Sequence, residues 1–276
     1  VLRAYLSLLS MLLLSAAGCG GGGSGDELPA VKGSVLGRGR TLASLNDPAN
    51  PRPSLNDVIQ VTGLRVSFVD NFDETGGGAT GNIFLQDFTS PPGPYQGALA
   101  FKPSFSPPSF RTTIGDVVDV SGQYSEFQPN VDFLKKSRAG WTTPELSGSL
   151  SLRFDAPYVP LEPVEINPVD FLKYETGRPW LSMLVIAKNV KLNSDVVVPA
   201  SGRSSADIFV GAGVSADINP TITNELFDLA AYAASVKAER GIDTLAGIEL
   251  ESVVGFVTLF DKFHIAPRNA DDIKLK

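Results

Sequence analysis

A single cysteine and a single histidine stand in 276 residues. One cysteine excludes an internal disulfide framework, and one histidine excludes a multi-histidine metal site and narrows any His-based triad to one position. Positive charge is also scarce. There are 23 Lys and Arg against 30 Asp and Glu, a net charge of −7. Gly (27) and Pro (20) are frequent, but too few for a collagen-like or wholly disordered chain. No Gly-x-Ser-x-Gly elbow appears, and the glycines at 76–78 are not followed by the Lys-Ser/Thr of a phosphate loop. What remains is length for one large domain or two ordinary ones, with enough Val, Ile and Phe to fill cores.

The first 19 residues read VLRAYLSLLSMLLLSAAGC. One positive charge, Arg3, precedes an apolar stretch from Tyr5 to Leu14. Such a stretch is half the ~20 residues that a spanning helix needs and suits the core of an export signal. Small residues, Ser15 to Gly18, lead directly to Cys19, the only cysteine. This pattern resembles the bacterial lipoprotein signal, with Ala16 where that signal prefers Leu. The resemblance implies a signal peptide at 1–18, lipid modification at Cys19, and membrane attachment through that lipid. Gly20, in place of Asp, implies the outer membrane. Loss of Arg3 with the signal leaves 22 basic and 30 acidic groups, net −8. Residues 19–55 open with Gly20 to Gly25 and stay polar and Pro-rich, which reads as a flexible tether, its later part an extended leader.

Strand patterns begin near Asp57. Ile59 and Val61 alternate, then Leu64, Val66 and Phe68 alternate one position out of phase, with Gly63 at the slip. A glycine where alternation slips predicts a bulge or bend. Further strands are expected at Asn82–Gln86, Tyr95–Phe101, Val117–Phe127 with central Gly122, and Ser147–Phe154. A second series follows: Trp180–Leu192, Ala206–Val210, Ile248–Leu259 with internal Gly255, and Lys262–Pro267. Between them, Leu226, Leu229, Ala230 and Ala233 have helical spacing. They predict a helix over Asn224–Arg240, capped by Thr223 or Asn224 and ended by Gly241. The third strand of this series has no clear signature.

Five short strands with a bent first strand describe a barrel of the OB type. The segments NDVIQVTGLRVSFVD, NIFLQD, PYQGALAF and IGDVVDVSGQYSEFQ resemble the OB-like domains of bacterial extracellular proteins, including modules attached to secreted nucleases. Asp87, Gly97, Gly115, Asp116, Gly122 and Glu126 stand at matching positions. WLSMLVIAKNV and GFVTLFDKFHIAPRNADDI look like a companion repeat, with Pro267, Arg268, Asp272 and Ile273 at its closing motif. The expected architecture is mainly β: two tandem OB-like five-stranded barrels, at 56–158 and 159–276, the second with one inserted α-helix.

Chemistry is sparse. His264, between Phe263 and Ile265, is expected on the polar face of its strand as a surface histidine. Asp70, Asp73 and Glu74 precede Gly76 to Gly78. Such carboxylates suit Ca²⁺, but the spacing is not that of an EF-hand loop, so a solvated hairpin tip is expected, without metal or cofactor. Asp116 and Asp119 stand three apart on a strand and face opposite sides, unlike a glycosidase pair. Phe84, Phe88, Tyr95, Phe101, Phe105 and Phe110 surround the second and third strands. Phe84, Tyr95, Phe101 and Lys102 form the candidate ligand face. Nucleic acid requires a basic groove besides stacking aromatics, and Lys102 and Arg111 are the only cations between Arg65 and Lys135. The small basic cluster Lys135, Lys136 and Arg138 reads as a solvated loop. The function expected is a non-catalytic, lipid-anchored envelope module that binds or scaffolds a protein or glycan. The alternatives are an accessory module for extracellular nucleic acid or polysaccharide and, with least support, a hydrolase.

Overall fold

The computed structural model describes residues 39–78, 80–88, 91–106, 108, 111–130, 136–156 and 161–276. Cys19, Phe110 and Lys135 lie outside these residues, as does the expected domain boundary at 158/159. Six strands form the first sheet: β1 (Val58–Val69), β2 (Ile83–Asp87), β3 (Gly97–Ala100), β4 (Ser104–Ser106), β5 (Val117–Phe127) and β6 (Thr143–Ala156). β1 pairs antiparallel with β2 and β5, β2 with β3, and β5 with β6. β3 runs parallel to β6, so β1-β2-β3-β6-β5 closes on itself as a five-stranded barrel. β4 adds to β6 beyond that closure. Closed pairing leaves few open edges, which suits strands with little charge to protect them.

The glycines act where the alternation slipped. The β1–β5 register shifts between Val61 and Leu64, and Gly63 sits there at φ 64°. The β5–β6 register shifts between Ser121 and Gln123, around Gly122. The slips keep Ile59, Val61, Leu64 and Val66 all buried, although the spacing between them is irregular. Ile83, Leu85, Ala98, Ala100, Val118, Val120 and Leu146 complete this core.

Part of the stretch expected as tether is folded against the barrel. Arg40 bridges Val61, and α1 (Leu42–Asn46) follows. Thr41 caps the helix by accepting the Ser44 N–H. Leu42 and Leu45 are buried in the first core, each contributing about 1.5–3 kcal/mol by removal from water.

The second sheet contains β7 (Val164–Glu165), β8 (Leu184–Lys191), β9 (Ser205–Asp207), β10 (Thr221–Thr223), β11 (Glu249–Leu259), β12 (Phe263–Ala266) and β13 (Ile273–Leu275). Its order is β7-β8-β11-β12-β10-β9, with β13 on β11. β10 and β12 are parallel. Just past β8, Leu192 bridges Ile208, and the Phe209 N–H donates to the Lys191 carbonyl at 2.8 Å.

Between the sheets, α2 (Tyr174–Gly177) stacks Tyr174 on Trp141 at 5.4 Å. The helix α3 (Leu229–Arg240) starts five residues later than its spacing predicts. Thr221–Thr223 are taken into the sheet as β10, the strand that lacked a signature, and the Asn224 N–H bonds the Ser204 carbonyl. The cap is Asp228, which accepts the Ala231 N–H, and neither Thr223 nor Asn224 serves. Leu226 belongs to the contact between the halves. Gly241 ends the helix at φ 63°, as expected.

The two halves meet through Phe84, Leu184, Leu226, Phe256 and Ala266, with Phe68 and Leu99 alongside. The rings of Phe84 and Phe256 lie 4.4 Å apart. A Cβ on Gly97 would collide with the Leu181 carbonyl oxygen and stand 2.7 Å from Met183, so bare backbone is needed where β3 meets the second half. Gly97→Ala therefore forces the halves apart. We expect a loss of about 1–3 kcal/mol in urea unfolding. Gly93→Ala, whose nearest neighbour is 3.5 Å away, should change stability by less than about 0.5 kcal/mol. Equal effects of the two would refute the close approach.

Candidate functional site: a cleft between the halves

The outer face of the barrel carries a lateral row of side chains. Phe68 on β1 pairs with Phe84 on β2, Phe84 with Leu99 on β3, and Leu99 with Glu145 on β6. These residues point away from the barrel core, because Ile83, Leu85, Ala98, Ala100 and Leu146 point into it. The second half covers the apolar end of the row. Where that cover ends, a cleft of about 300 Å³ opens. Phe84, Leu99, Glu145 and Thr143 line it from the barrel, and Ser182, Thr258 and Leu259 from the second half. Phe101 and Phe127 also line it and are 46% and 39% exposed, so they form its apolar rim. A second hollow of about 250 Å³ adjoins it, sharing Glu74, Arg203, Glu225 and Phe260.

Carboxylates dominate the lining. Burial pushes Glu145 up to about 7 and Asp70 up to about 6, and the nearby charges of Glu74 and Glu225 also raise Asp70. Against this, Asp70 accepts the Phe72 N–H and, at 3.4 Å, the Asn82 amide. Burial also raises Glu74, although it pairs with Arg203 at 3.2 Å. Arg203 lies over the Phe260 ring, 4.1 Å from its centroid. Glu225 accepts the Thr258 hydroxyl. Glu145 is 8% exposed and its carboxylate has no hydrogen-bond partner. The hydroxyl of Thr143, two residues earlier on the same face of β6, is likewise buried without one.

The candidate ligand face is thereby divided. Phe84, Phe101 and Lys102 come together in the cleft. Phe84 forms a wall, its ring held against Phe256. Lys102 stands at the rim, 5.7 Å from the Phe101 ring. Tyr95 is elsewhere: its N–H donates to the Pro179 carbonyl in a left-handed turn at φ 66°. Phe88 stacks under Arg65, and Phe105 packs on the barrel core.

The expected solvated tip also divides. Asp73 remains in it, accepting the Gly78 N–H at 2.7 Å, while Asp70 and Glu74 turn inward to the cleft. Among the described residues no group of three His, Cys, Asp or Glu side chains is placed to hold a metal.

His264 is not a surface residue. It is 8% exposed, with Nδ1 2.5 Å from the Thr221 hydroxyl and Nε2 3.0 Å from Asp261. Alternation did not reveal this because β10, paired beside β12, sets Thr221 against the ring, and the Asp261 turn closes its other side. Burial raises the Asp261 carboxyl, but hydrogen bonding and charge from His264 outweigh it and hold the group down at about 2. The order Thr–His–Asp resembles a nucleophilic relay, yet Thr221 is fully buried. A substrate cannot reach its hydroxyl, so the relay ties β10, β12 and the Asp261 turn together.

Several motif residues have structural work. Asp87 accepts the Leu42 and Ala43 N–H groups at 2.8 and 2.9 Å and so holds the start of α1. Burial raises its carboxyl to about 7 despite both bonds. Gln86 accepts the Leu184 N–H across the halves. Asp119 accepts the Gly63 N–H at the bulge, and Asp116 accepts the Thr113 N–H. Arg268 grips Asp272 through two side-chain bonds of 2.8 and 2.6 Å. Arg138 is buried, donating to the Asp261 and Asp217 carbonyls, so it is no solvated loop cation.

No protein-family model and no curated protein matches the chain. Among solved structures it matches a deletion mutant of the single-stranded DNA-binding protein from Thermus aquaticus. Identity is 12% over 81% of this chain and 96% of that one, with a TM-score of 0.22. That likeness is too low to carry an argument about this chain.

The raised carboxyls set a pH dependence. Asp70, Asp87 and Glu145 hold protons in the folded chain that the unfolded chain releases near 4. Their contribution to stability is present below about pH 4 and is lost as pH rises through about 6–7. Asp261 acts in the opposite sense, but its contribution is lost only below about pH 4. The melting temperature should therefore fall between about pH 5 and pH 7.5, and Glu145→Gln should flatten that fall. A wild-type profile that rises across this interval would refute the assignment.

Proposed function

We propose that the protein is a non-catalytic binding module, anchored by lipid at Cys19 to the bacterial outer membrane, and that its ligand occupies the cleft between two OB-like barrels. The single observation that carries this reading is the cleft itself: an exposed phenylalanine rim over the Glu145 carboxylate, which bonds no protein group, and the Thr143 hydroxyl, which is buried without a partner. Folding leaves such a buried hydroxyl unsatisfied at a cost of about 1–3 kcal/mol, and a bound ligand offsets that cost.

The second sheet supports the tandem architecture. Its strands follow β8-β9-β10-β12-β11, the order in which β1-β2-β3-β6-β5 close the first barrel, if the Leu192–Ile208 bridge is counted as the joint between β8 and β9. The parallel pair falls at the same step in both: β3 with β6, β10 with β12. Among the described residues no helix is long and apolar enough to cross a membrane. The attachment proposed therefore rests on the sequence around Cys19.

The lipid is tested by labelling. Cells fed a tagged fatty acid should label the wild-type protein, while Cys19→Ser carries no label and leaves the membrane fraction. Label retained by the variant would sink the anchor.

The cleft is tested by a ligand panel of envelope glycan fragments, aliphatic amines and single-stranded oligonucleotides. At least one glycan or amine should raise the melting temperature saturably, and Phe127→Ala combined with Glu145→Gln should abolish the shift. Oligonucleotides should bind no tighter than about 10⁻⁴ M at physiological salt, because the lining carboxylates repel phosphate. Absence of any shift, or a shift indifferent to the double variant, would refute a ligand site in the cleft. Micromolar oligonucleotide binding that weakens with salt would instead favour a nucleic-acid module.

A further inference from the structure

We propose that the cleft binds a small aliphatic diamine or polyamine, with one ammonium group seated between Glu145 and Thr143. The proposal rests on the reading of the cleft as a ligand site and extends it to a ligand class.

Four carboxylates face the cleft, Asp70, Glu74, Glu145 and Glu225, against two cations, Lys102 and Arg203. Arg203 is engaged by Glu74 and by the Phe260 ring. Lys102 sits at the rim beside Phe101. The inner cleft is left with a surplus of negative charge, which excludes phosphates and carboxylates as ligands. Acidic residues together would not by themselves make a site. Thr143 supplies the independent observation, since the residue is 6% exposed, lines the cleft, and its hydroxyl is buried without a partner. The Glu145 carboxylate beside it lines the same cleft and bonds no protein group.

An ammonium group satisfies both at once. It has three N–H donors and no acceptor, and Glu145 when ionised is acceptor-only, so their inventories match. A sugar hydroxyl would bond either group but leave the carboxylate charge uncompensated. The methylenes of an alkyl amine suit the walls, because Phe84 and Leu99 stand next to Glu145 in the lateral row. Phe101 and Phe127 at the rim add apolar surface for the rest of the alkyl chain, and Lys102 over the Phe101 ring disfavours a second ammonium on that side. A volume of about 300 Å³ holds a chain of this size and not a folded partner.

Binding should be linked to protons. Burial pushes the Glu145 carboxyl up to about 7. A cation beside it draws it into the ionised form, so the amine binds with release of a proton below that pH. The other charged groups facing it are Asp70, Glu74, Glu225, Lys102 and Arg203. Of these Asp70 and Glu74 also lie above the ordinary carboxylate range and change in the same direction.

The test is calorimetric titration of the full chain in detergent with 1,5-diaminopentane, and with 1,5-pentanediol and glutarate as isosteric controls. The diamine should bind at least about tenfold more tightly than the diol, and glutarate should not bind. Affinity should rise with pH from about 5.5 to 8, and at the lower pH the heat should vary with the ionisation enthalpy of the buffer. Glu145→Gln should weaken the diamine by about 30-fold or more and reduce the buffer dependence, leaving only the part that Asp70 and Glu74 supply. Thr143→Val, which leaves all charge in place, should weaken it by a smaller factor. Equal affinity for diol and diamine would overturn the proposal, as would wild-type binding by both variants. No saturable heat up to about 10 mM diamine would overturn it too, since that is weaker than ordinary low-affinity recognition. A glycan that binds in the cleft while amines do not would overturn the amine and leave the ligand site standing.

Discussion

The contact between the Phe84 and Phe256 rings is the constraint on which the site depends. It lies where the outer face of a closed barrel meets the second sheet, at 4.4 Å. One glycine admits the approach: Gly97 lets β3 reach the Leu181–Met183 backbone. Interiors packed to this density transmit displacement rather than absorb it. The distance between the halves, and so the width of the cleft beside them, is therefore set by bare backbone and one pair of rings. Gln86 adds direction, because its side chain accepts a backbone N–H from the other half.

The first barrel is also tied to its leader. Asp87 directs both carboxylate oxygens at the first N–H groups of α1, which are the groups a helix leaves unsatisfied at its start. Asn46, at the other end of that helix, donates to the Gly97 and Tyr95 carbonyls. The leader, the β2 strand end and the β3 turn thus form one hydrogen-bonded unit at the edge of the interface. The Gln-Asp pair of the motif has two separate duties: Asp87 holds the leader and Gln86 reaches the second half. Neither duty is chemical.

How much of this was legible depends on the kind of signal each element carries. Strands long enough to show alternation, and slips marked by glycine, were readable because period and backbone freedom are local properties. β10 was not, since three residues cannot show a period and its threonines also suit a helix cap. α1 was hidden for a similar reason, and the carboxylate that holds it lies 44–45 residues away. The cleft was the least legible part. Phe84, Leu99 and Glu145 belong to three strands and become neighbours only through register. Glu145 drew no attention in sequence because it lay outside the strand expected at Ser147–Phe154, which in the fold begins at Thr143. Phe84, Phe101 and Lys102 were found, but from aromatic density alone, which also selected Tyr95 for a turn it merely shapes. His264 was misread because alternation tells which face a side chain takes and not what covers that face.

The energetic sense of the cleft lies in where the chain tolerates loss. Several of its buried carboxylates have protein partners: Asp119 on the bulge N–H, Asp272 on Arg268, Asp87 on the first N–H groups of α1. A fold that can supply such partners has no chemical obstacle to supplying one for Glu145. Its position bears on the difference: Glu145 sits beside Leu99, which packs only partly against the second half, at the step where the cleft opens. A leucine there would extend the apolar row and favour closure of the two halves over it. A glutamate resists that closure, because its desolvation already raises it to about 7 and complete burial would cost more. The same side chain therefore opposes closure and adds to the negative charge that Asp70, Glu74 and Glu225 bring to the cleft.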